Sequence, residues 1–312
     1  MSGTDQPAGG PDFEATAAAV SGEIDEDERR PPSPLERVQR VLHKYPALGP
    51  FIVLVTMVVV FSLLSPDRFA TTRNLSLVIS QATVVGTLAI GQTIIILTAG
   101  VDLSVGAIAV FASIVMANAN VAFGMPAPVA LALGFATGTL CGMLNGLIIT
   151  RLKMPPFIVT LGTLSIFFAL NLLVSGSATV RGTDMDFLLT LPGENVEVLG
   201  TKFTLGSIGM LMAYGVFIYI LGYTSWGRHT YAVGDDPESA RLSGIRSDRL
   251  LVSVYAVAGL VYGLGAWFLI GRVNAASPQS LLDANLLSIT AVVIGGTSLF
   301  GGRGGVTGTL FG

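Results

Sequence analysis

Charge is what this sequence has least of. Only 12% of its 312 residues are Asp, Glu, Lys or Arg, against about 25% in ordinary soluble domains. Hydrophobic residues make up 51%, and mean hydropathy is +0.71. That deficit excludes a soluble enzyme. Positive charge is scarce and scattered, 17 Lys and Arg against 20 acids for a net charge of −3, so nothing offers the basic footprint a nucleic-acid partner needs. The single cysteine, Cys141, can form no internal disulfide. There are two histidines, His43 in the N-terminal segment and His229 in a polar loop, and no His-Glu-x-x-His sequence, which excludes a paired metal site and the common intramembrane metalloenzyme pattern. The three lysines, Lys44, Lys153 and Lys202, each follow a residue other than glycine. A phosphate-cradling P-loop, which needs Gly followed by Lys, is therefore absent from this sequence.

What is abundant is apolar length. Runs at approximately 48–64, 77–99, 105–123, 127–150, 156–175, 204–222, 250–270 and 285–300 are of the order needed to cross a bilayer as helices, about 17–25 residues. The fold class expected is all-α, a polytopic membrane protein of about eight transmembrane helices. Residues 1–46 differ in kind: they hold nine of the 20 acids, with seven charges between Glu23 and Arg30, and are expected to be a disordered cytoplasmic tail. The division is thus 1–46 tail and 47–312 membrane domain, with a polar loop at 223–249. The last run is short, and Val306 to Phe311 reads as the start of another, so the chain is expected to be truncated at its C-terminus. Lys and Arg collect on cytoplasmic loops. With the tail inside, eight crossings put Arg151 and Lys153, the 223–249 loop with Arg228, Arg241, Arg246 and Arg249, and Arg303 inside as well. Arg68 and Arg73 oppose this orientation. The 176–203 loop, with Asp184, Asp186, Glu194 and Glu197, falls outside.

Thirty-eight glycines exclude a simple coiled coil. Gly134, Gly138, Gly142 and Gly146 recur every four residues, on one helix face, and predict close approach of a neighbouring helix, the usual packing device in lipid. Gly259 and Gly263 repeat it. Between Leu77 and Phe123 the one ionisable residue is Asp102. Either Asp102 or Ser104 caps the following helix, or a broken helix lines a route for a polar solute, and both can hold. The run from Ile294 to Gly305 is a second glycine-interrupted segment, and such pairs point to transport sites. Gln92, Asn145 and Asn171 are amides within apolar runs. Each is able to bond a neighbouring helix, and with Thr160, Thr163 and Ser165 they offer uncharged polar groups suited to hydroxyls better than to ions; Gln92, Asp102, Asn145 and Asn171 are the candidate substrate path.

In the polar loop, Asp236 is a plausible N-cap, Pro237 fits the first helical position, Glu238 suits the N-terminal dipole, Arg241 the other end, and Gly244 can terminate. A helix this short is unstable alone and must pack on the chain's own helix ends or on a partner.

Four segments together carry a resemblance: Ala99 to Gly106 (AGVDLSVG), Met154 to Thr163 (MPPFIVTLGT), Tyr231 to Ile245, and Ile294 to Gly304 (IGGTSLFGGRG). Over about residues 48–312 the chain resembles the permeases of ribose, xylose and galactose-type ABC importers. Departures are Asp236 where these permeases often have Asn, the long acidic tail, and the early end. The resemblance implies a non-enzymatic permease subunit in a bacterial cell membrane, multi-pass with its N-terminus cytoplasmic. It implies a permease homodimer surrounded by membrane lipid, a cytoplasmic ABC ATPase that carries ATP and Mg, and an extracytoplasmic sugar-binding protein, with no cofactor on this chain. It also implies ATPase docking through Gly234, Asp235, Asp236, Pro237, Glu238, Ala240, Arg241, Leu242 and Gly244. The competing reading is an ion- or proton-coupled secondary carrier for a polar solute. That carrier needs ionisable groups inside its spans, and only Asp102 and Asp283, near span ends, are on offer.

Overall fold

The computed structural model describes residues 47–181, 185–198 and 200–312. The expected tail at 1–46 lies outside the described residues, as does Asp184. From Ala47 onward the chain is built of helices: α1 (Leu48–Leu64), α2 (Pro66–Phe69), α3 (Thr72–Ile96), α4 (Val105–Val121), α5 (Ala127–Leu152), α6 (Pro156–Ser175), α7 (Phe187–Thr190), α8 (Leu205–Tyr223), α9 (Ser225–Asp235), α10 (Pro237–Leu242), α11 (Ser247–Val273), α12 (Ala284–Ile294) and α13 (Val306–Phe311). The all-α expectation is met, and the chain is a multi-pass membrane protein. Among the described residues five helices, α3, α5, α6, α8 and α11, are long and apolar enough to cross a bilayer, while α1, α4 and α12 are shorter apolar helices.

These eight helices fall on the eight apolar runs of the sequence, with one difference that matters. The last run, 285–300, stops as a helix at Ile294. Its 11 residues span only about 16 Å at 1.5 Å per residue. Val292 packs with Ala89 and Ile96, so α12 runs along the second half of α3 only, with its first residue against the start of α4. The glycines Gly295 and Gly296 end it because continuous helix cannot include the positive φ of Gly296, 81°. Two small ladders that hydropathy did not signal also form. Strand β1 (Val180–Arg181) pairs with β4 (Ala275–Ala276), and β2 (Asn195–Val198) pairs with β3 (Thr201–Thr204), both antiparallel. They are too short for an alternating pattern to register in the sequence.

Helix ends follow local chemistry. Thr71, Thr204 and Thr224 cap α3, α8 and α9 by accepting from Asn74, Ser207 and Gly227 N–H groups. Pro126 and Pro155 stand at the start of α5 and α6, and Lys153 and Gly176 end them in the left-handed region.

Helix α11 packs against α3, α4 and α5 and is the axis of the bundle. Its contact with α5 is made by backbone. A Cβ placed on Gly138 would strike the Gly259 carbonyl, one on Gly142 the Tyr255 carbonyl, and one on Gly146 would lie 2.9 Å from the Cα of Val252. The two glycine stripes read from the sequence are therefore one device, two halves of a single seam. Around it the usual distribution is inverted, since Ile52, Val53, Met57 and Leu63 of α1 are exposed while Gln92, Asp102, Asn145 and Asn171 are buried. Apolar side chains face lipid and polar groups find partners inside. Helix α8 is tied to α3 in the same way, by Thr83 Oγ1 and Ser207 Oγ at 2.8 Å and by the Tyr214 hydroxyl donating to the Gly86 carbonyl at 2.9 Å.

Because the seam has no room for a side chain, Gly142→Leu should force α5 and α11 apart, at a cost of about 1–3 kcal/mol or more. Thermal aggregation in detergent is expected at a lower temperature for Gly142→Leu than for Gly162→Leu, a position with open space around it. Equal midpoints for the two variants would refute the seam.

Candidate functional site

After α3 the chain turns sharply. Gly100 N–H and the Thr98 hydroxyl both donate to the Ile95 carbonyl, and Ala99 takes a positive φ of 58°. The turn delivers Asp102, fully buried, to the first residues of α4. Asp102 Oδ1 accepts from the Ser104 N–H at 2.8 Å and from the Ser104 hydroxyl at 2.6 Å. Ser104 occupies the N-cap position of α4 yet makes no side-chain cap bond. The capping expectation is thus corrected: the carboxylate closes the 102–104 turn by bonding Ser104, and the Ser104 hydroxyl is spent on that carboxylate rather than on the helix end.

A shell of polar side chains from other helices surrounds this turn. From α5, Asn145 Nδ2 donates to Ser104 Oγ at 2.9 Å. From α3, Gln92 brackets the Asp102 main chain. Its amide nitrogen, turned toward the carbonyl, stands 3.1 Å from it, and its oxygen is 3.3 Å from the N–H. From α6, Thr160 Oγ1 accepts from Leu103 N–H and lies 3.1 Å from the Val101 carbonyl. From α11, Tyr255 reaches the break itself and Tyr262 the face of α3 beside it. The Tyr255 hydroxyl comes close to Gly100, and the Tyr262 ring lies on Gly91. The two phenol hydroxyls, Asp102 Oδ2 and Asn145 Oδ1 are all buried without a partner within hydrogen-bond distance. Donors and acceptors are present in equal number, so small rotations or a bridging water would satisfy them.

Of the four residues proposed for a substrate path, the structure brings Gln92, Asp102 and Asn145 together, each with no exposed surface. It places Asn171 elsewhere, donating to the Ala107 carbonyl at 3.3 Å. Tyr255 and Tyr262 escaped the sequence reading. Their signal was a seven-residue spacing, which puts both hydroxyls on one face of an otherwise apolar helix.

The polar loop forms two helices rather than one. The second, α10, has the ends expected of it. Asp236 Oδ1 accepts from the Glu238 and Ser239 N–H groups at 2.9 and 3.1 Å, and Asp236 Oδ2 takes the Ser239 hydroxyl. Bonds from the Ser239 hydroxyl and then the two backbone N–H groups hold this carboxyl below the usual carboxylate range. Gly244 ends the segment at a φ of 87°. Asp235, Asp236, Pro237, Glu238, Arg241, Leu242 and Gly244 are exposed, while Gly234 and Ala240 are buried. Leu242 is 81% exposed, a large apolar side chain on a surface otherwise charged.

Gly234 is buried for a reason. It sits where a Cβ would collide with the Leu97 carbonyl and come within 2.7 Å of Gly302 N. Gly302 N–H in turn donates to the Leu97 carbonyl at 3.0 Å, and the Tyr231 hydroxyl donates to the Gly304 carbonyl at 2.8 Å. The glycine-interrupted segment after α12, the break after α3 and the base of the loop helices therefore meet at one point. Among the described residues no group of three or more His, Cys, Asp or Glu is placed to hold a metal ion.

Removing the Asp102 carboxyl while keeping its bulk, as in Asp102→Leu, strands the Ser104 N–H, at about 1–3 kcal/mol for a buried unpaired group. Asp102→Asn keeps an oxygen acceptor for Ser104. A thermal midpoint in detergent clearly lowered by Leu and little changed by Asn is the expected result.

Comparison with known proteins agrees with this architecture. Residues 74–312 match the family described as the permease component of branched-chain amino acid transport systems. The fructose import permease protein of Rhizobium meliloti is 41% identical over 304 residues, covering 96% of this chain and 84% of that protein. The ribose import permease protein of Bacillus subtilis strain 168 is 38% identical over 269 residues, 85% of this chain and 81% of its own length. The D-allose transport system permease protein of Escherichia coli strain K12 is 31% identical over 272 residues, 85% and 79% respectively. No solved structure matches. The resemblance carried by the four motifs is therefore upheld, and the chain belongs to the permease-component family of which the branched-chain amino acid transport systems are the described type.

Proposed function

We propose that this chain is the transmembrane permease subunit of an ATP-driven, binding-protein-dependent importer of a monosaccharide or related polyol. Its relatives include import permeases named for fructose and ribose and a transport system permease named for D-allose. Hydrolysis of ATP with Mg takes place on a separate cytoplasmic ABC ATPase, the solute arrives on an extracytoplasmic binding protein, and two permease copies assemble in the bilayer. Residues 1–46 form a cytoplasmic tail and 223–249 the cytoplasmic coupling loop, in accord with the Lys and Arg distribution. The ion-coupled alternative loses ground against these relatives, and Asp102 and Asp283 are the few ionisable groups its spans offer.

The observation that carries the reading is the exposed α10, with Leu242 projecting, resting through α9 on the break that positions Asp102. An ATPase that grips Asp235 to Leu242 moves Gly234, and Gly234 has no clearance from Leu97 and Gly302. Displacement at the loop thus reaches the Asp102 turn without an intervening flexible element. In this role Gln92, Asp102 and Asn145 hold the closed conformation, and movement at Leu97 loosens them.

Exchanging the charges of Glu238 and Arg241, as Glu238→Lys with Arg241→Glu, should lower ATPase co-purification about tenfold with membrane insertion intact. Unchanged recovery of the ATPase would oppose the docking assignment. For orientation, Ser177→Cys and Ser239→Cys, each in a Cys141→Ala background, are expected to differ in labelling by an impermeant thiol reagent on intact cells, with Ser177→Cys reactive and Ser239→Cys protected. The reverse pattern would invert the topology.

A further inference from the structure

Asn171 stands apart from the Asp102 cluster and lines a cavity of about 60 Å³ between α4, α6 and the segment 278–285. That is several times the roughly 10–15 Å³ one water requires. Its polar wall is Asn171, Ser280 and Asn285, its apolar wall includes Ala107 and Phe168, and no ionisable side chain lines it.

Three independent features make this a built site. Asn171 is 1% exposed and gives Nδ2 to the Ala107 carbonyl, while Oδ1 is left without a partner. A buried amide oxygen in that state, beside a cavity, is open to a donor that enters it, a water or a ligand hydroxyl. Second, the segment between β4 and α12 is irregular backbone lying against the first turn of α4: a Cβ on Gly106 would stand 2.6 Å from the Leu281 carbonyl and 3.3 Å from Ala284 Cβ. Non-helical backbone at membrane depth persists only against protein or a water-filled cavity. Third, α4 and the half-length α12 both begin here, the arrangement by which interrupted spans present polar groups to a solute. Asn285 Oδ1 is occupied by the Leu286 N–H at 2.9 Å, which leaves its Nδ2 as a free donor.

We propose that this cavity is the permease's own contact site for its solute, a neutral polyol that donates a hydroxyl to Asn171 Oδ1 and accepts from Asn285 and Ser280, with a C–H face on Phe168. The absence of charge suits a neutral ligand, and a few fixed polar groups in an apolar wall give orientation. Phe168 and Leu282, at 36% and 64% exposed, stand at the mouth, and a second permease copy against this face would shield the mouth from lipid. The proposal rests on the sugar-importer reading above.

The test uses the full importer, permease with its ATPase and binding protein, in proteoliposomes, with radiolabelled D-fructose, D-ribose and D-allose as probes and ATP hydrolysis measured in parallel. Asn171→Ala and Asn285→Ala are expected to lower sugar moved per ATP hydrolysed at least fivefold. Phe168→Ala should do the same and Phe168→Tyr should retain wild-type coupling. Asn285 and the Phe168 pair decide the matter if Asn171→Ala fails to assemble. Wild-type sugar per ATP in Asn285→Ala and Phe168→Ala, or a parallel fall of uptake and hydrolysis, would overturn the site while leaving the importer reading in place. If the unaltered importer moves none of the three sugars, the importer reading itself fails and the site falls with it.

Discussion

The backbone contact of Gly138 and Gly142 on α5 with Tyr255 and Gly259 on α11 is the constraint on which the other arrangements depend. Lipid supplies no hydrophobic drive between helices, so association comes from close packing and from bonds between polar groups. Only glycine lets two helix backbones touch. Once they do, α11 is fixed in rotation as well as in distance, and its tyrosines at 255 and 262 can face only the turn after α3.

That turn is the second level of organisation. Asp102 is bonded by Ser104, Ser104 by Asn145, and the Asp102 main chain is bracketed by Gln92. Four helices and the break thus share one buried polar network, which is stable only while nearly complete. Its nearest mechanical neighbour is Leu97, which carries Gly234 on one side and Gly302 on the other. The exposed helix α10 is therefore two close contacts away from the network, and the half-length α12 begins at Gly106, on the other side of Asp102.

Much of this was legible before any coordinates. Hydropathy located all eight apolar helices to within a few residues at most ends, because lipid selects for continuous apolar length irrespective of the partners each helix meets. The caps of α10 were legible because Asp236, Pro237 and Gly244 act through their own backbone within a few residues. The four-residue glycine repeat announced a seam, since spacing alone puts those positions on one face. The family followed from four motifs read in order. The stop of α12 at Ile294 was legible in part: the glycine interruption was marked from Ile294, but the run was drawn on to residue 300, because only the backbone shows the positive φ that Gly296 takes. Nor did the capping reading of Asp102 survive, since Asp and Ser two residues apart can bond each other as readily as a helix end.

Composition and spacing by themselves determined that the chain lies in a bilayer, where its spans run, which face of α5 is packed and where the short loop helix begins and ends, all of them consequences of local periodicity and of the solvent. The tertiary structure alone decided which polar residues meet. Gln92, Asp102, Asn145, Tyr255 and Tyr262 come from three helices and a turn, and Asn171, with the same chemistry as Asn145, is carried to a separate cavity. Side chains separated by up to 170 positions in sequence become neighbours only through the rotation and depth of whole helices, and no local pattern encodes those two quantities.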